Sequence, residues 1–573
     1  MASSLVCDSH KFHILPSASI SEIKRSKCVA QGRGCRQFST RRRDSLKGIV
    51  SCSLAERDGG RKVIVIGGGV GGLAVGGKLA FEGFDVQILE KNAEAGGRLQ
   101  SLYAELGGQE TFRFDTGPSL LLLPQKYRDA FTAMGERLED YVVLEKVDPV
   151  AYRVFFGEEE GPHHLDLMYD VQKMCAQLES VEKGAAANFL RFLSNAKEAL
   201  DKGTESFIER DFRTFWDYAN IPRLLPLLRH LSPFELLGQH HARMKNYFSN
   251  PKLQALFTFQ DLYVGLTPYN APGVFSLLAA TEITDGVWYP LGGFGKVRDA
   301  LVQAAQKAGV KIQTKTAVKR IEHMNGKVIG VTLEDGSILR ADIVVANADL
   351  PHVYNQLLSS GGNKHAERLT RAKYSASVIS FNWSLDSHLD GLSHHNIFLS
   401  ESYERSWDRA TDASSFLDQP NFYLHAPSRT DPSVCPTGTD AITVLLPVAH
   451  FGEGYNKGHA GDDKAIVDVA REKIFDRLKK SGIGDIFPHI LSEVVYSPPT
   501  WRDSYNLQHG ATFGLSHNLL QLAYFRPDIA DYSIRGLYFT GASTRPGNGV
   551  PLVLMGAKLT SNRILEDCKD LLI

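Results

Sequence analysis

Apolar positions along the chain follow two periods, and the period changes at glycines. Val63 to Ile66 form an unbroken β-branched run, as a strand buried on both faces requires. Beyond a glycine cluster, Leu73, Gly76, Leu79 and Ala80 recur at helical spacing, which predicts a helix laid on that strand. Val86 to Leu89 is a second apolar run, ending at Glu90. The alternation returns far downstream. Lys296 to Lys307 reads as a helix and Val310 to Ile312 as a strand, and residues 326–347 read as a hairpin about Asp335-Gly336, with Ile343 to Ala346 as one more buried strand. Leu537 to Phe539 predicts a last strand, and Val550 begins a helix with Pro551 in its first turn, where proline is tolerated.

The glycines carry the candidate chemistry. Gly67-x-Gly69-x-x-Gly72 stands between the first strand and its helix, with Glu90 18 residues past Gly72. Gly67 permits the tight turn, Gly69 lets backbone approach a pyrophosphate, and Gly72 packs helix on strand. The helix N-terminus offers free N–H groups to the phosphates, and Glu90 is placed to accept from the ribose hydroxyls. Gly96-Gly97-Arg98 selects FAD over NAD, with Arg98 reaching the pyrophosphate or ribityl region; Phe114 to Pro118 adds a tight turn at Gly117 for close backbone approach. The expected class is α/β: a discontinuous Rossmann-type FAD-binding domain (59–150, 283–350 and 501–573) with an inserted α+β substrate domain (151–282 and 351–500).

The insertions are rich in leucine and aromatics. LFTFQDLYVGLTPYN (256–270) carries Phe257, Phe259, Tyr263 and Tyr269, a stripe that suits plain core and equally a tunnel for an apolar substrate. IPRLLPLLRHLSPFELL (221–237) reads either as a monotopic membrane-surface element or as a buried helical cover.

Composition adds a leader. Residues 1–50 hold ten Lys/Arg against three acids, are rich in serine and lack an apolar core, which predicts a plastid transit peptide over 1–58. The remainder, with 43% hydrophobic and 23% charged residues overall, suits a large globular protein. A net charge of −1 gives no reason to expect nucleic acid, and no apolar run is long enough to span a membrane. Cys175, Cys435 and Cys568, outside the leader, form no CxxC pair. The adjacent pairs His163-His164, His240-His241 and His394-His395 cannot share one helix face, so no metal is expected.

With these pieces in place the chain resembles the bacterial-type phytoene desaturase and carotenoid isomerase family from about residue 62 to the end. The likeness includes the FAD fingerprint, Glu139 to Val142, Tyr152-Arg153, Gly286 to Pro290 with Gly292-Gly293, Asn347 to Asp349, Tyr423 to His425, Ala523 to Pro527 and the stretch GASTRPGNGVP (541–551). It implies a plastid FAD oxidoreductase, peripheral to an internal membrane, that desaturates or isomerises a long isoprenoid hydrocarbon, with quinone or oxygen as electron acceptor. It places Val318 at the adenine and a loop from Gly541 to Gly549 under the flavin, with the N–H groups at Val550 facing the cofactor. Arg153 and Arg545 are the candidate catalytic polar groups. Two alternatives stay open: a related flavin enzyme acting on another apolar substrate or an amine, and a flavin-binding protein without turnover.

Overall fold

The computed structural model describes residues 60–106, 110–157, 164–204, 208–219, 237–358, 364–457 and 463–569. The leader expected over 1–58 therefore lies outside the described residues, as does all of the 221–237 segment except Leu237. The β-branched run becomes β1 (Lys62–Ile66), central in a five-stranded parallel sheet. Its neighbours are β2 (Asp85–Leu89) on one side and β13 (Ile343–Ala346) on the other, with β9 (Lys311–Gln313) and β19 (Leu537–Phe539) at the edges. All but the first residue of β1 are buried, because both faces are covered. On one face, α1 (Val70–Phe81) packs against α3 (Phe294–Lys307) and α5 (Val550–Lys569). On the other lies the three-stranded sheet of β10 (Val318–Met324), β11 (Lys327–Leu333) and β12 (Ile338–Arg340), turning at Asp335-Gly336 as the dipeptide predicts.

The second layer is a seven-stranded sheet in the order β18 (Ile490–Tyr496), β14 (Ser377–Leu385), β17 (Asp440–Val448), β16 (Phe422–His425), β15 (His395–Phe398), β6 (Val150–Phe155) and β7 (His164–Met168). Every pair is antiparallel except β15 with β6. Period-two alternation divides the faces of β17. Val444, Leu446 and Val448 enter a core shared with α4 (Lys464–Lys480), while Leu445 and Pro447 face a central cavity. The hairpin of β3 (Ser101–Leu106) and β4 (Glu110–Asp115), and the short pair of β5 (Leu144–Lys146) and β8 (Trp288–Pro290), link the two layers. Asp115 fixes the join: its Oδ1 accepts from the Phe294 N–H that opens α3 and its Oδ2 from the Tyr289 hydroxyl, both at 2.8 Å.

Candidate functional site

One cavity of about 1950 Å³ runs between the sheets. Its first half is built from the fingerprint. Helix α1 has no side-chain cap at Gly69, so its first N–H groups are left for a ligand. Gly67 sits at φ +94°, as the turn demands, and a Cβ on Gly72 would lie 2.2 Å from the Gly67 carbonyl oxygen. Glu90 lines the cavity with its carboxylate held by the N–H groups of Gly68 and Asn92, both at 2.8 Å. Gly97 backs onto Gly69, where a Cβ would come within 3.3 Å of the Gly69 Cα. Arg98 lines the wall and donates to the Thr512 carbonyl, and a Cβ on Gly117 would stand 1.8 Å from the Arg98 carbonyl oxygen. Val318 lines the same end with Thr316 and Ala317.

A second helix N-terminus, that of α5, opens on the same cavity through Gly549, Val550, Pro551 and Leu552. The loop before it leaves β19 at Thr540 and turns at Gly541, φ +124°; Gly549 holds φ +93° and faces open space where a side chain would stand. Arg526 secures this loop. Fully buried, it donates to the carbonyls of Thr544 and Ala542 inside the loop and to those of Leu515, Ser516 and Gln521 outside it. His517 lines the cavity beside the loop. Its Nε2 accepts from the Asn548 N–H at 3.2 Å, which leaves the proton on Nδ1, and burial holds the ring well below the ordinary histidine pKa.

The other half is apolar, walled by Leu262, Leu278, Val274, Phe275, Leu445 and Pro447 among others. Single-ligand pockets occupy about 300–1,000 Å³, so this volume has room for two ligands in tandem. At its rim large apolar side chains stand in solvent: Phe215, Leu237, Leu519, Leu520 and Phe525 line the cavity and remain exposed, and Trp216, 79% exposed, packs edge-on against Phe215. Among the described residues no helix is long and apolar enough to cross a membrane.

The family of flavin containing amine oxidoreductases matches residues 70–565. The chain belongs to that family. It is 37% identical over 525 residues to a phytoene desaturase of Neurospora crassa, covering 90% of this chain and 86% of that protein. It is 34% identical over 516 residues to the zeta-carotene-forming phytoene desaturase of Myxococcus xanthus, covering 88% and 94%. Solved structures agree in fold: an oxidoreductase from Methanosarcina mazei (TM-score 0.56, 18% identity, 88% of this chain and 100% of that one) and cyclohexylamine oxidase from Brevibacterium oxydans (0.54, 17%, 89% and 100%). The protein is thus a flavin-dependent oxidoreductase of α/β class, and the glycine cradle and paired helix N-termini fit the flavin.

Most of the sequence-derived site residues converge on this flavin cavity: Gly67, Gly69, Glu90, Gly97, Arg98, Gly117, Val318, Gly541, Arg545, Gly549 and Val550 all line it, and Gly72 supports it from beneath. Arg153 does not. Its guanidinium makes a two-pronged ion pair with Asp166 on β7, both contacts at 2.9 Å, and donates to the Gly391 carbonyl, so it ties β6 to β7 and to the turn before β15, outside the cavity. Arg545 reaches the wall, but its charge is paired with Asp528 and one nitrogen donates to the Phe212 carbonyl at 2.6 Å. Its charge is therefore neutralised at the wall, so it stands beside the cavity as one half of an ion pair. Of the aromatic stripe, Phe257 and Phe259 are core and Tyr263 is cavity wall. Arg526, His517, Ser119 and Tyr423 carry no local pattern that marks a role; only the stretches Ala523 to Pro527 and Tyr423 to His425 hint at two of them.

Proposed function

We propose that the protein is an FAD-dependent carotenoid desaturase, peripheral to a plastid membrane, which oxidises a long polyene hydrocarbon and passes the electrons to a quinone or oxygen. The carrying observation is the tandem cavity. A dinucleotide fitted to the glycine cradle and α5 leaves a compartment continuous with it whose walls carry Leu262, Leu278, Val274, Phe275, Leu445 and Pro447, which suits a hydrocarbon. The names of the two relatives point to the same substrate class. Bound FAD supplies a two-electron acceptor that takes a hydride. The chain's own residues orient the hydrocarbon against it, exclude water and, through the N–H groups of α5, stabilise the negative charge that reduction creates. The exposed apolar rim supports entry from a bilayer, where such a substrate dissolves. The basic, serine-rich leader supports a plastid address.

Expression in cells that accumulate phytoene or later polyenes, with chromatography and mass spectrometry of the pigments, tests the reading. Products lighter by pairs of hydrogens are expected. Unchanged pigments would refute it, and a change of double-bond geometry at constant mass would assign isomerisation instead.

A further inference from the structure

Behind the cavity wall lies a row of polar side chains that hydride transfer does not use. Ser119 and Tyr423 line the cavity, and the Tyr423 hydroxyl donates to the Ser119 hydroxyl oxygen at 2.8 Å. The Tyr423 hydroxyl is 2.8 Å from Nδ1 of His395, a fully buried ring that faces His425 across the β15–β16 ladder. His425 Nε2 lies 3.0 Å from His394 Nε2, and His394 Nδ1 lies 2.6 Å from the hydroxyl of Thr430, which is partly exposed. The row thus leads from the cavity toward the surface.

It has one break. His395 Nε2 and His425 Nδ1 are buried without a protein partner. The His395 and His425 rings stack with centroids 5.5 Å apart, and one nitrogen from each of the three imidazoles lies within 4.8 Å of the others, a spacing that one water at about 2.8 Å from each side can bridge. Burial keeps the rings neutral: His394 and His395 lie well below the ordinary value, and His425 is pushed down to about 3. A neutral imidazole donates at one nitrogen and accepts at the other, so each ring can pass a proton along. A metal ion fits less well. The guanidinium charges of Arg113 and Arg429 act on His425 and His394, and among the described residues no carboxylate or thiolate joins the three rings.

We propose that Ser119, Tyr423, His395, His425, His394 and Thr430 form a proton exit from the cavity to solvent, an inference that rests on the desaturase reading. Two C–H bonds break on neighbouring carbons. One hydrogen leaves with its electron pair to the flavin, and the electrons of the other bond become the new π bond. That second hydrogen remains as a proton in an apolar compartment. Ser119 receives it, the two hydroxyls turn so that Ser119 donates to Tyr423 and Tyr423 to His395, each later member hands its own proton to the next, and Thr430 releases one to solvent.

The test uses holoprotein carrying Tyr423→Phe, Thr430→Val or the conservative Thr430→Ser. In anaerobic single turnover with a polyene in vesicles, Tyr423→Phe and Thr430→Val should slow flavin bleaching about a hundredfold, the lower end of the range for proton-transfer groups. Thr430→Val should also raise the solvent deuterium isotope effect, with flavin content unchanged and Thr430→Ser restoring the rate. Wild-type rates in both impaired variants would overturn the exit. A second readout needs no turnover. With ¹⁵N-histidine, Thr430→Val should shift ring nitrogens of His425 as well as His394; a response confined to His394 would show the row to be discontinuous. One equivalent of metal lost on His395→Ala would also overturn the proposal. If no polyene bleaches the wild-type flavin, the desaturase reading falls, while the nitrogen spectra still decide the row.

Discussion

Arg526 offers five N–H donors and spends them on five backbone carbonyls, two of them in the flavin loop and three in the segment beneath it. A lysine keeps the charge but has three donors in a different geometry, so buried carbonyls lose their partners. Arg526→Lys should therefore weaken flavin binding about tenfold or more, each tenfold being about 1.4 kcal/mol; fluorescence titration of the apoprotein with FAD measures it. Glu282 makes a different prediction. Fully buried on α2 (Leu277–Thr284), it accepts from the Tyr152 hydroxyl and the Gln260 amide, and burial pushes its pKa up to about 8. Between its ordinary value and 8 the folded protein holds a proton that the unfolded chain has lost, so stability falls as pH rises, by at most about 1.4 kcal/mol per unit, and levels off above 8. Glu282→Gln carries no such proton. Its melting temperature relative to wild type should climb from pH 5 to pH 8 and then stay constant.

Helix α1 meets its strand at a distance that only glycine allows. A methyl group on Gly72 would meet the Gly67 carbonyl oxygen at 2.2 Å, a backbone atom with nowhere to retreat. Overpacking of this kind costs about 1–3 kcal/mol, roughly ten- to hundredfold in affinity if the N–H groups of α1 are displaced from the phosphates. Gly72→Ala should purify with correspondingly less flavin, read from the visible absorption of the protein. This junction, like β9, β13, β19 and α5, was legible in the sequence because its signals are local: β-branched runs, helical spacing, and glycines where φ is positive. The seven-stranded sheet was not. It joins β6, near residue 150, to β15, near 395, and nothing within either segment names its partner. The same non-locality hid the three histidines. Adjacency denies His394-His395 a shared helix face, but His395 begins a strand and meets His425 across the ladder. Arg153 failed as a flavin contact for a related reason: the cross-strand carboxylate of Asp166 captures it.

Over the whole molecule, the apolar rim is the feature with the widest reach. Trp216 and Leu520 are 79% and 73% exposed and flank a cavity mouth rather than a packed interface. Replacing both with glutamate should release the protein from lipid vesicles, seen by flotation, while its flavin absorption is retained. Co-flotation equal to wild type would place membrane contact elsewhere.

The strand order carries a further consequence, for assembly. β1 begins at residue 62, yet its sheet is completed by β19 at residue 537, and the loop and helix facing the flavin come later still. A chain emerging from its N-terminus can form the first β-α-β unit and its glycine cradle early, but the opposite wall of the cofactor pocket is complete only once the last strand has slotted in beside β13. Between those two moments a long aliphatic and aromatic chain waits with its apolar compartment unclosed, which is when such a protein is most exposed to aggregation and most in need of a chaperone.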